Sequence, residues 1–160
     1  MDDGWTRRAV AGGLVRVWLP PDEALEEVDD FAIWSPDAEL GRFTVASAEG
    51  SEDGDALLAA ERAHGEVEVE EDARLERGGL EVRRLRYRSR RHTPREVVRR
   101  RGERTDVGGE DVETLADFVL LHAGGRLIRA GYAVRGDAPE PLRTALEQVY
   151  DRLEIGDESR

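Results

Sequence analysis

An α+β fold, an antiparallel sheet of about six or seven strands with helices packed on it, is the architecture this sequence predicts. Three observations predict it. The glycine doublets Gly78-Gly79 and Gly124-Gly125 each divide a pair of segments of strand composition, as tight hairpin turns with positive φ would. Short apolar runs with period two recur from residue 14 onward. Leu142, Leu146, Val149 and Leu153 then form one stripe at helical spacing near the end of the chain. A length of 160 residues suits one domain around one core, so residues 1–160 are expected to be a single domain.

The elements follow in order. In residues 14–19, Val15, Val17 and Leu19 alternate with Arg16 and Trp18 until Pro20-Pro21 stops the strand. Residues 31–35 and 42–48 read as further strands. Residues 55–64 read as a helix carrying Leu57, Leu58 and Glu61, capped by Ser51 or Asp53 and ended by Gly65. The first long hairpin pairs residues 67–77 with 80–91. Leu80 and Val82 set one phase there and Leu85 and Tyr87 the other, so a bulge near Arg83-Arg84 is expected. A short Arg-rich helix should begin near Pro94. Residues 102–111 lack apolar periodicity and should form a mobile loop. The second hairpin pairs residues 114–123 with 126–135, placing Ile128, Ala130, Tyr132 and Val134 on one face. Residues 118–121 are apolar on both sides, which predicts a central strand with helices on each face. Pro141 in its first turn opens the last helix. The expected core is Val17, Phe43, Val45, Leu85, Phe118, Leu120, Ile128, Tyr132, Leu146 and Val149.

Composition narrows the function. Charged residues make up 38% of the chain and hydrophobic ones 39%, a thin core under a highly charged surface. The absence of cysteine excludes a disulfide framework, a thiolate metal site and a cysteine nucleophile. The acidic N-terminus has neither a basic nor an apolar signal region, and no apolar run is long enough to span a bilayer. No membrane insertion and a cytoplasmic location are therefore expected. All 24 basic residues are arginine, which reads chiefly as GC-rich coding, with adaptation to salt as the alternative given the net charge of −12. Residues 22–72 hold 18 acidic residues against two Arg, giving −16, while residues 74–104 hold 13 Arg against four Glu, giving +9.

The order of elements carries a family resemblance. An early strand ending in Leu19-Pro20, a helix after the third strand and a closing hairpin plus helix resemble the Mog1/PsbP-like superfamily over residues 15–155. The resemblance implies an α/β/α sandwich. It also implies a small non-enzymatic protein, since bacterial members of that group look like envelope lipoproteins or chaperone-like adaptors that bind apolar helices of secreted effectors. Pro20-Pro21-Asp22 stands where that family usually has Pro-Gly-Trp after the first strand, and no lipoprotein signal is present. No binding residue carries over.

No catalytic, cofactor-binding or metal-binding constellation emerges. His64, His92 and His122 have no metal-ligand spacing, and a zinc site needs three or four convergent ligands. His122, beside Leu120 and Leu121, is expected to be partly buried. None of Ser35, Ser47, Ser51, Ser89 and Ser159 sits in a nucleophile elbow, and the glycine doublets lack the lysine and helix of a phosphate loop. Residues 49–55 (Glu-Gly-Ser-Glu-Asp-Gly-Asp) do not match a calcium-loop register and read as a solvated acidic turn.

One feature rises above this background. Arg83, Arg84, Arg86, Arg88, Arg90, Arg91, Arg99, Arg100 and Arg101 crowd around Tyr87 and His92. Guanidinium forks suit phosphate or carboxylate, so this stretch is the candidate binding surface for an acidic partner or nucleic acid. The competing reading is intramolecular, with the −16 block facing these arginines across the sheet. The global charge of −12 works against nucleic acid, so the intramolecular reading is preferred. The resulting expectation is a non-enzymatic domain without a cofactor whose partner is another protein.

Overall fold

The computed structural model describes residues 4–28, 31–49, 54–93, 96–100, 102–107 and 110–156. β1 (Thr6–Val10) passes through a 3-10 turn (Ala11–Gly13) into β2 (Val15–Leu19), and β3 (Glu26–Val28), β4 (Phe31–Asp37) and β5 (Gly41–Glu49) follow. α1 (Gly54–Arg62) precedes the long pair β6 (Glu66–Arg77) and β7 (Leu80–Thr93). β8 (Glu96–Arg100) and β9 (Glu103–Val107) come next, then β10 (Glu110–Ala123), β11 (Arg126–Arg135), α2 (Glu140–Asp151) and β12 (Glu154–Ile155).

Seven strands form one sheet in the order β3-β4-β5-β11-β10-β7-β6, and every neighbouring pair is antiparallel. Both long hairpins are those the glycine doublets predict. Gly78, Gly79, Gly124 and Gly125 all have positive φ, as two-residue turns with matched twist require. At Gly78 the need is doubled, because a Cβ there would stand 1.9 Å from the Ile155 carbonyl oxygen.

The sheet buries apolar side chains on both faces. On one, Phe43, Val45, Val82, Val119, Ile128, Tyr132 and Val134 pack against Leu146 and Val149 of α2 and against the small sheet β1-β2-β12. On the other, Leu85, Tyr87, Phe118 and Leu120 pack under Leu58 of α1. All ten expected core residues are buried.

That two-sided burial corrects the reading of β7. Val82 belongs to the α2 side and Leu85 and Tyr87 to the α1 side, so strict alternation satisfies both phases and no bulge falls at Arg83-Arg84. The register shift lies in the partner strand instead, between Val69 and Glu71.

Three other expectations change. Where a short Arg-rich helix is expected, β8 is a strand paired with β9 from Glu96↔Val107 to Arg100↔Glu103; Pro94 itself lies outside the described residues. Val97 and Val98 favour extended backbone, and Gly102 at φ 79° turns the chain back. The stretch 102–111, expected as a loop, therefore contains β9 and the start of β10. His122, at the end of β10, is exposed rather than partly buried. The short strands β1, β3 and β12 are additions, each too brief or too charged to show a period. The expected α1 caps, Ser51 and Asp53, lie outside the described residues. None of the described helices is long and apolar enough to cross a membrane.

Candidate functional site

The arginines of β7 alternate between the two sheet faces, and both faces supply carboxylates. On the α1 side, Arg83 forms a fork with Asp72 of β6 at 2.7 and 2.8 Å and also reaches Asp55 of α1 at 3.0 Å. Arg91 pairs with Glu61 near the other end of α1. The helix is thus tied to β7 at both ends by its own acidic residues.

On the α2 side, Arg84 grips buried Asp117 of β10 bidentately at 2.8 and 3.1 Å, and Arg86 adds a third contact at 3.3 Å. Arg88 bridges Glu70 and Glu113 at 3.0 Å each, and Arg90 joins Glu113 at 3.2 Å. Glu70 is the extra residue at the β6 register shift, and that position sets it between Arg86 and Arg88. The pairings move the acids in the direction expected for neutralised charges. The Arg88 hydrogen bond holds Glu70 below the ordinary carboxylate range, Arg83 does so for Asp72, and Arg90 followed by Arg88 does so for Glu113.

The sequence-selected arginines therefore divide. Arg83, Arg84, Arg86, Arg88, Arg90 and Arg91 stand together on β7, each paired with a carboxylate of the same chain. Arg99 and Arg100 lie on β8, which among the described residues pairs with β9 alone. Arg101 lies outside the described residues.

A second feature has no counterpart in that selection. Among the described residues, α1 packs on the β6, β7 and β10 part of its sheet face and leaves the part toward β4 and β5 open. Ile33, Thr44, Phe118, Ala116 and Ala133 line a cavity of about 510 Å³ there, with Arg42, Arg91, Arg129 and Glu61 among the surrounding residues. Gly131 pairs with Phe118 of its lining. A Cβ at that position would meet the Asp117 carbonyl oxygen at 2.1 Å and the Phe118 ring at 2.7 Å, so only glycine lets the aromatic ring lie across its cross-strand neighbour. Phe31, on the adjacent edge, is 48% exposed, and Val28 beside it is 52% exposed.

The guanidinium of Arg129 stands 5.0 Å from the Phe118 ring centroid, a cation–π contact. Its Nε is buried without a hydrogen-bond partner. Among the described residues neither Arg129 nor Arg42 has a carboxylate partner, in contrast to the six arginines of β7. Sequence reasoning missed this pair because Arg42 sits inside the acidic block and Arg129 alternates with core residues; only the β5–β11 pairing brings them to one face. Tyr87 lines the same cavity with its hydroxyl pushed up to about 12 by burial. Among the described residues no three His, Asp or Glu side chains converge as metal ligands.

No protein-family model matches the chain, and no curated protein matches it. Solved structures do. The Ran-binding protein Mog1p of Saccharomyces cerevisiae is similar over 97% of both chains at 11% identity, with a TM-score of 0.54. The cyanobacterial PsbP of Synechocystis is similar over 95% of this chain and 92% of that one, at 12% identity and a TM-score of 0.52. A Bacteroides thetaiotaomicron protein aligns over 98% of this chain at 12% identity and a TM-score of 0.45, and the chain spans only 50% of its length. The likeness to Mog1p and PsbP is one of fold: an antiparallel α+β architecture of the Mog1/PsbP type.

Proposed function

We propose that this protein is a non-catalytic binding module that receives a segment of another protein in the groove over β4, β5 and β11. The observation that carries the reading is the sheet face that α1 leaves uncovered, an apolar floor rimmed by exposed Phe31 and by arginines. Aromatic and arginine side chains around a concave apolar patch are the composition that dominates binding energy at protein interfaces. The ion pairing of Arg83, Arg84, Arg86, Arg88, Arg90 and Arg91 favours a protein over nucleic acid, because guanidiniums already neutralised have few counterions to release. Mog1p, which is similar in fold, is a Ran-binding protein, and this supports protein binding as work the fold can do.

A photo-crosslinking side chain at Thr44, in the groove, is expected to capture a discrete protein that the same group at Arg143, on the exposed side of α2, does not. Ile33→Asp should abolish the capture while circular dichroism stays unchanged. Equal capture from both positions, or capture that survives Ile33→Asp, would refute the reading.

A further inference from the structure

We propose that the segment seated in this groove carries carboxylates on both sides of an apolar stretch, one received by Arg129 and one by Arg42. The inference rests on the groove being a docking site and adds the chemistry of its occupant. Among the described residues, the groove is lined by three guanidiniums, Arg42, Arg91 and Arg129, against the one carboxylate of Glu61, and Glu61 is taken by Arg91. In a chain of net charge −12 this is a local excess of positive charge, which a low-dielectric cleft focuses. Arg129 is half-buried against Phe118 with a shielded, orphaned Nε. A guanidinium partly removed from water with no anion beside it is unfavourable, and an incoming carboxylate relieves that cost through charge-assisted hydrogen bonds.

The spacing follows from the sheet. Arg42 pairs with Ala133 across the β5–β11 ladder and Arg129 with Ala46, so the two cations are four positions apart along the strands, about 13 Å. Thr44 and Gly131 pair directly between them, and Ile33 and Phe118 flank that row on β4 and β10. Apolar side chains of the occupant belong over this middle row and acidic ones at its two ends. An occupant with lysine or arginine at those ends meets like charge.

A random-peptide library displayed on phage and selected against the whole protein is the probe. Enriched peptides are expected to combine Asp or Glu with a central apolar stretch. In fluorescence anisotropy, Arg129→Gln and Arg42→Gln should each weaken them about tenfold, the loss of one charge-assisted contact. Because Arg42 is exposed, Arg42→Gln tests the idea even where Arg129→Gln unfolds the chain. Neutral or basic enriched peptides, or acidic ones indifferent to both substitutions, would overturn the proposal. If such peptides still require Ile33, as judged by Ile33→Asp, the docking surface survives and only the carboxylate chemistry falls. Peptides indifferent to Ile33→Asp as well, or no enrichment at all, overturn both readings.

Discussion

Tyr87, Tyr132 and Tyr150 are the three tyrosines of the chain, and all are buried. Burial is the first cause acting on each hydroxyl; it pushes Tyr87 and Tyr132 up to about 12 and drives Tyr150 upward too, with the charge of Asp117 adding to the effect. A folded-state value raised above the ordinary phenol value of 10.0 means the contribution to stability is complete below pH 10 and is lost as pH rises through about 12. Alkaline titration should therefore show almost no tyrosinate absorbance near pH 10, and the tyrosinate band should rise together with loss of the circular dichroism of the fold. Tyrosinate forming at pH 10 with the fold intact would contradict this placement. The sequence already made Tyr132 a core residue, since it alternates with Ile128, Ala130 and Val134. It could not identify Arg129 as a cation without a carboxylate partner among the described residues, because pairing depends on which carboxylates the strand order brings near, and the acids that neutralise β7 come from β6, β10 and α1.

Among the elements, α2 is the one whose periodicity was plainest, and its packing agrees: Leu142, Leu146, Val149 and Tyr150 are buried against the main sheet face. Leu146 is fully buried, so Leu146→Ala should cost about 2–5 kcal/mol, read as a lower urea midpoint with an unchanged slope. Arg143→Ala, on the exposed side of the same helix, should stay within about 0.5 kcal/mol. Elements with a plain apolar period or a clear turn residue were legible in this way, as α2 and the turns of the two glycine-doublet hairpins show. β7 was harder to read because it is covered on both faces, where two apolar phases mean two cores and not a bulge. β8 and β9 were hidden by their charge: arginine is a good helix former by propensity, and Val97 and Val98 are too few to reveal a period. The groove was not legible at all, since it arises from how little of the sheet a nine-residue α1 covers.

For the whole molecule, the −16 and +9 blocks are sequence facts that the sheet converts into contacts, since β6 supplies Glu70, Glu71 and Asp72 to the arginines of β7. With net charge −12 and those guanidiniums engaged, labelled single- and double-stranded oligonucleotides should show no appreciable anisotropy change near physiological salt. Micromolar binding that weakens steeply with salt and disappears when Arg99, Arg100 and Arg101 become Ala would reverse that expectation. The seam between β5 and β11 has a further consequence. Ser47 and Arg126 are hydrogen-bonded across it although 79 residues apart, and Phe43 and Val45 of β5 face the core that β11 and α2 complete. A chain emerging from the ribosome holds the β3-β4-β5 meander with the hydrogen-bonding edge of β5 unpaired until β11, most of the remaining sequence later, has followed. Closure of this seam, more than formation of either hairpin, is expected to set the pace of folding, and such distant pairing belongs to the slow millisecond-to-second regime. Rapid-mixing refolding that finishes within microseconds would show that the seam is not the step that governs the rate.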